Sequence, residues 1–192
     1  MRACLLDAAQ AEFMEAGFAG ASISRIVERS GRSKPTLFRH FATKRALFEG
    51  VVERIAGRWA DAVNWQSIRD DTPAGWLGAF GARVLAWITN EDNIFVGRMA
   101  VSEGFMFPDI GERYLALAIS PMRQVLTDRL GDAAFMGTIR CGDPARASQA
   151  FFDLVVSGQV SRLLYNPSDR DDADEVARHI AFCVNLFLHG LA

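Results

Sequence analysis

Histidine, cysteine and lysine are scarce in this chain of 192 residues, with three, three and two copies. His40, His179 and His189 stand far apart, and Cys4, Cys141 and Cys183 are as widely scattered. Neither set has the spacing of a metal site, so no metal and no cofactor is expected. An odd number of cysteines among apolar neighbours reads as reduced packing thiols and excludes a disulfide framework, which points to a reducing cytoplasm. Also missing are a strand followed by a phosphate-cradling glycine loop and a nucleophile elbow, so an enzyme is not expected. The longest apolar runs, 151–156 and 180–188, are broken by Asp153 and Asn185. Both fall well short of the roughly 18 residues that a membrane helix needs, and a membrane partner is not expected. The amino end does not read as a charged, then apolar, leader, and the expected location is cytoplasmic.

What is present is material for a core and an uneven distribution of charge. Half the residues are apolar and 23% are charged, which suits a folded globular chain rather than a disordered or fibrous one. The net charge of −2 conceals two parts of opposite sign. Through Arg58 there are ten cations against six acids, a net +4, and both lysines, Lys34 and Lys44, lie in this segment. The remaining residues carry eleven cations against seventeen acids, a net −6. Nucleic-acid binding depends on where cations sit rather than on their sum, so the basic head is the part to inspect.

Between turn signals, apolar residues recur at intervals of three and four, the period of a buried helix face, and strand-like alternation is hard to find. Leu5, Leu6, Ala9, Phe13 and Met14 form the stripe of a first helix over 2–16, ended by Gly17. Ser22 is the candidate cap of a second helix over 23–30, although Arg25 stands where a capping box has an acid, and Gly31 closes it. Ser33 caps a short third helix through Phe41, with Pro35 tolerated in the first turn. Thr43 caps a fourth over 44–64 that runs out of the head. Further helices are predicted over 74–89, 93–105, 110–130 (bent or divided by Pro121), 144–165 and 171–189, with Gly190 as the final stop. The fold class is all-α.

Residues 22–41, "SISRIVERSGRSKPTLFRHF", have the layout of a helix-turn-helix. Leu37, Phe38 and Phe41 can face the core while Lys34, Thr36, Arg39 and His40 remain free to enter a major groove. Thr43 and Lys44 open the next helix, whose amino-terminal amides suit a phosphate. The stretch from Leu5 to Phe48, "LLDAAQAEFMEAGFAGASISRIVERSGRSKPTLFRHFATKRALF", resembles the DNA-binding domain of tetracycline-repressor-like (TetR) regulators. The likeness rests on Phe13, Gly17 and Phe18 at the end of helix one, Ile26, Gly31, Ser33-Lys34, and "TLFRHF" followed by "TK". It implies that Lys34, Thr36, Arg39 and His40 reach bases or phosphates, and that Thr43 and Lys44 contact phosphate. Two departures stand out: Phe38 where the family often has tyrosine, and Ala21 where it often has threonine.

The resemblance further implies a helix-turn-helix domain over 1–46 and a helical bundle for ligand binding and dimerisation over 47–192. Large polarizable side chains in the second part include Phe80, Trp87, Met99, Phe105, Met106, Phe107, Met122 and Phe152. Most of these are expected to be ordinary core; the other reading is the wall of an apolar cavity, with Arg83, Arg98, Glu103 and Gln159, otherwise solvent-facing or in local salt bridges, as candidates to orient a ligand there. Within this set the expected ligand contacts are Phe80, Trp87, Met99, Glu103, Met122, Phe152 and Gln159. The last two helices are apolar on more than one face, through Phe151, Val155, Gly158, Val176, Ile180, Cys183, Val184 and Phe187, which suggests a symmetric four-helix dimer interface; the other reading is a central helix pair in a monomer. The function expected is a homodimeric repressor released from a palindromic operator on double-stranded DNA by an apolar or aromatic small molecule. A constitutive DNA binder and an activator remain open.

Overall fold

The three-and-four spacing is realised as helix throughout. The computed structural model describes residues 1–103, 108–135 and 137–189, and among these there is no strand. Phe105, Met106, Phe107 and Gly190 lie outside the described residues. In chain order the elements are α1 (Arg2–Gly20), α2 (Ile23–Ser30), α3 (Lys34–His40), α4 (Lys44–Ala56) and α5 (Trp59–Val63). A single 3-10 turn (Trp65–Ser67) leads to α6 (Pro73–Ile88), α7 (Glu91–Glu103) and α8 (Pro108–Tyr114). A π-helical turn (Leu115–Ile119) then joins α8 to α9 (Ser120–Phe135), followed by α10 (Pro144–Tyr165) and α11 (Ala173–His189).

Two compact units result. The first takes residues Met1–Gly57 together with Phe95–Tyr114, so it draws on α7 and α8 as well as on the first four helices. Its core joins Leu5 and Phe13 of α1, Ile26 of α2, Leu37 of α3, and Phe48 and Val51 of α4, all wholly buried, with Phe95, Val96 and Ile110. Phe48 meets Phe13 edge-on at 5.0 Å and Phe95 at 6.4 Å, the perpendicular arrangement that the ring quadrupole favours. Ion pairs join α4 to α8: Arg45 with Asp109, and Arg113 with Glu53 at 2.9 Å. The second unit takes Arg58–Ile94 and the described residues from Leu115 onward. Its α6 is held from Thr72, whose hydroxyl accepts the Gly75 amide at 3.1 Å, and α10 from Asp143, which accepts the Arg146 amide at 3.0 Å.

Three elements differ from the sequence expectation. Helix α1 does break at Gly17 (φ 68°, ψ 175°), yet one further turn follows and buries Phe18. The expected long helix over 44–64 stops at Ala56: the Gly57 amide reaches back to Glu53 O at 2.8 Å, and the chain restarts as α5. Glycine has the lowest helix propensity after proline, and the apolar stripe gives no sign of such an interruption because it continues in phase through Val63. The helix expected over 110–130 is divided as Pro121 suggests, but the break lies before the proline. Pro121 sits in the first turn of α9, where its missing N–H has no partner to lose, and the wider π turn absorbs the mismatch.

One close approach fixes the first unit. A Cβ on Gly50 of α4 would stand 2.8 Å from a ring carbon of Phe41 and 3.2 Å from Leu6, so only glycine lets α4 lie this near both. Gly50→Ala is expected to destabilise the fold by about 1 to 3 kcal/mol, the usual cost of overpacking, measured by urea unfolding. Unchanged stability would mean that Phe41 yields freely.

Candidate DNA-binding surface

The motif is built from its turn outward. Gly31 adopts the left-handed conformation (φ 62°, ψ 29°), and the amides of Gly31 and Arg32 bond Glu28 O and Val27 O at 3.1 and 3.2 Å, closing α2 with a paired cap. Two residues on, the Ser33 hydroxyl accepts the Thr36 amide at 3.3 Å and lies 2.9 Å from Thr36 Oγ1, which starts α3. Leu37 and Phe41 turn inward, 0% and 4% exposed. Thr43 then accepts the Ala46 amide at 3.0 Å and opens α4.

This anchoring presents the expected residues as follows. Lys34, Arg39, His40 and Thr43 are exposed, while Thr36 and Lys44 are half-buried. The Lys44 ammonium donates to Ala19 O at 3.2 Å and Ala21 O at 3.1 Å and lies 4.9 Å from the Phe18 ring, so two of its three protons are used at the end of α1. Phe38 departs from the expectation. It is 46% exposed, because Leu37 and Phe41 take the inward positions and the 100° step of a helix carries residue 38 round to the flank shared with Lys34.

The capping acid that α2 lacks in sequence comes from α1. Glu12, 1% exposed, accepts the Ser22 amide at 2.9 Å and Arg25 Nε at 2.6 Å, with Arg29 at 3.9 Å. Burial alone raises this carboxyl, but the Ser22 amide, Arg25 and Arg29 outweigh it and hold the group below its ordinary range. Sequence reading missed Glu12 because its partners lie ten and thirteen residues away. Its one signal was an acid set between the buried positions Ala9 and Phe13.

Pairing sorts the cations of the head. Arg29 pairs with Glu15 at 2.7 Å, Arg54 with Asp7 at 2.5 Å and Arg45 with Glu49 at 2.8 Å. Residues 31–48 hold five cations and no acid. Among the described residues Arg32, Lys34 and Arg39 make no ion pair; Arg39 touches only Met1 Sδ, at 3.7 Å. An unpaired cationic face carrying a protruding short helix can take up a polyanion and, within it, hydrogen-bond base edges.

The body residues fall differently from expectation. Phe80, Trp87, Met122 and Phe152 are buried, between 0% and 6% exposed, and Phe80 stacks on Trp76 at 4.9 Å. Met99 packs on the core of the first unit, Glu103 is half-buried, and Gln159 accepts Arg162 Nη2 at 2.5 Å. Arg83 ties down the turn after α5 by donating to Asn64 O at 2.6 Å and Ser67 Oγ at 2.7 Å, and Arg98 is exposed. A cleft of about 370 Å³ in the second unit lies elsewhere, along Thr72, Trp76, Leu77, Arg129, Leu130 and Ile139. Of the residues expected at a dimer surface, Phe151, Val155, Ile180, Cys183 and Val184 are buried inside the subunit. There α11 packs on α10, with His179 Nε2 at 2.9 Å from Val155 O and the Cys183 thiol donating to Leu154 O at 3.4 Å. Val176 and Phe187 are half-buried, while Gly158, Leu154 (38%) and Phe182 (58%) are exposed. Two apolar faces on one helix cannot be told apart by periodicity, and the larger residues of this set pack within the subunit.

Two family models match: bacterial regulatory proteins of the TetR family over residues 5–51, and the C-terminal domain of AefR-like transcriptional repressors over residues 76–190. The chain belongs to the TetR family of transcriptional regulators. The transcriptional repressor AcnR of Corynebacterium efficiens is 35% identical over 60 residues, 31% of this chain, and the match spans about a third (32%) of that relative's length. The regulator YvkB of Bacillus subtilis is 25% identical over 162 residues, 83% of this chain and 81% of its own. Among solved structures, a TetR-family regulator from Mesorhizobium loti superposes with a TM-score of 0.88 at 24% identity, covering 97% of this chain and 94% of that one. The flavonoid-responsive regulator FrrA (TM-score 0.80, 21% identity; 97% and 94% covered) and FadR of Bacillus subtilis in complex with stearoyl-CoA (0.78, 15%; 100% and 100%) share the fold.

Within this TetR head, Glu12 provides a pH test. Glu12→Gln removes a buried charged acceptor from the Ser22 amide, Arg25 and Arg29 and is expected to cost about 1.5 to 3 kcal/mol at neutral pH. Because the folded-state pKa is lowered, the carboxylate's contribution is complete above the unfolded value of about 4.3 and is lost as pH falls through the lower folded value. The stability gap between wild type and variant, from urea unfolding, should therefore close on acidification. A gap that is constant with pH would exclude the charge as its source.

Proposed function

We propose that the chain is a homodimeric repressor that binds a near-palindromic operator through α3 and leaves it when an apolar or aromatic small molecule occupies its body. The observation that carries this reading is the unpaired cationic face of α3, with Lys34, Arg39 and His40 exposed around two buried anchors. In this reading residues 1–46 bind DNA and residues 47–192 bind the ligand and the second subunit. Lys34, Thr36, Arg39 and His40 reach base edges and phosphates. Thr43 and Lys44 take a phosphate at the amino end of α4, where the dipole and the remaining ammonium proton favour an anion.

Dimerisation uses the outward face of α10 and α11, with Leu154, Gly158 and Phe182, and sets two copies of α3 about 34 to 36 Å apart, one turn of DNA. The inducer acts by favouring a conformation in which that spacing is lost, at a coupling of about 1 to 3 kcal/mol. The reading places the protein in the cytoplasm, with its operator; no described helix is long and apolar enough to cross a membrane. Support for a small-molecule inducer is the shared fold with a flavonoid-responsive regulator and with a regulator holding stearoyl-CoA.

The test is fluorescence anisotropy with duplexes selected from a randomised pool by the full-length protein. Lys34→Ala should weaken every duplex and reduce the slope of log affinity against log salt by about one unit per subunit. Arg39→Ala should weaken the selected duplex about tenfold more than a random one. Unchanged binding in both variants would overturn the reading.

A further inference from the structure

We propose that Phe38 reads thymine, its ring seated on the 5-methyl group in the major groove, and is thereby a specificity-determining residue of the recognition helix. The inference rests on the operator-binding reading and goes beyond it in naming a base. Among the described residues of the first unit, Phe38 is the one exposed phenylalanine, at 46%, while Phe13, Phe18, Phe41, Phe48 and Phe95 are all buried. A phenylalanine left in water forgoes the burial of a large apolar area, and the adjoining core has no place for it, since Leu37 and Phe41 already fill the inward positions of α3.

The surroundings of the ring say what covers it. Lys34 stands one turn before Phe38 on the same flank, Arg39 follows it, and neither cation is paired among the described residues. These charges favour a polyanion over an apolar protein surface, so the ring and the phosphate-seeking groups meet the same duplex. A benzyl ring has no hydrogen bond to offer a base edge. The apolar group that the major groove presents is the methyl of thymine, which is also the one atom group separating thymine from uracil there. A hydroxyl at this position could instead bond a phosphate, and Phe38 has none to commit it to the backbone.

The experiment uses the full-length protein and its selected duplex, with each thymine replaced in turn by deoxyuridine, and affinities read by anisotropy at low salt, where phosphate contacts keep weakened variants measurable. Loss of one methyl contact corresponds to about fourfold weaker binding per half-site. For the wild type, one symmetry-related thymine position should show that loss. In Phe38→Ala the same position should become indifferent to deoxyuridine, while the response to Arg39→Ala stays as in the wild type. Phe38→Tyr, which keeps the ring, should retain the thymine effect. If Phe38→Ala weakens all duplexes alike and every thymine keeps its wild-type response, the ring packs on the sugar-phosphate backbone and the proposal is overturned. If no duplex is enriched from the pool, the operator-binding reading falls first and the proposal with it.

Discussion

The seating of α3 by Leu37 and Phe41 is the constraint on which the head depends. Seven residues make about two turns, and isolated helices shorter than about 12 to 15 residues are marginal in water, so α3 has no stability of its own to set its direction. Its direction is set by where its two anchors enter the core and by how closely α4 can approach them, which Gly50 governs. Once 37 and 41 are inward, the helical step leaves 35 and 39 on the opposite side and 38 on the flank, whatever their chemistry, while Lys34 is exposed at the open amino end of α3. The outward set is then free to be chosen for a partner rather than for the fold.

The same logic explains why the first unit borrows 95–114. A head of four helices has a small core, and small cores bury too little surface to be secure. Phe95, Val96 and Ile110 enlarge it, and Arg45 and Arg113 bond across α4 and α8. Exposed ion pairs of this kind contribute little individually, so the apolar contacts carry the attachment and the charges fix its register. Residues 95–114 are continuous in the chain with the second unit at both ends, so the core of the first unit is completed by a segment remote from it in sequence.

Most of this was legible where local chemistry dictates local structure. Ser33 and Thr43 read as caps because a hydroxyl before an apolar stripe has a free amide two or three residues ahead, and each makes that bond. Gly31 read as a stop for the equally local reason of its left-handed backbone. Legibility ended where a residue's neighbour is remote. Glu12 caps α2 from across the turn, and nothing in the pattern of α2 itself calls for it. Phe38 looked like core because phenylalanine usually is, and only the competition among 37, 38 and 41 for two inward places decides otherwise. On α10 and α11 the sequence has two apolar faces, and which of them packs inside the subunit depends on where α6 lies, which no window of sequence contains.

The division of labour among the cations follows from their chemistry. Arginine's planar fork suits fixed carboxylates, and Arg25, Arg29, Arg45 (through Asp109) and Arg54 are used in that way to bind helices of the first unit together. Each such pair removes a positive charge and a negative one from what a distant partner senses, so internal pairing leaves the net +4 of the first 58 residues in place while confining it to the groups that remain unpaired. Arg32, Lys34 and Arg39 are among those groups, and all lie on or beside α3. The field of the head is therefore concentrated as well as positive: residues 31–48, which contain α3, hold five cations and no acid. A uniformly basic head of the same charge would attract DNA in many orientations, whereas this distribution favours approach with α3 leading.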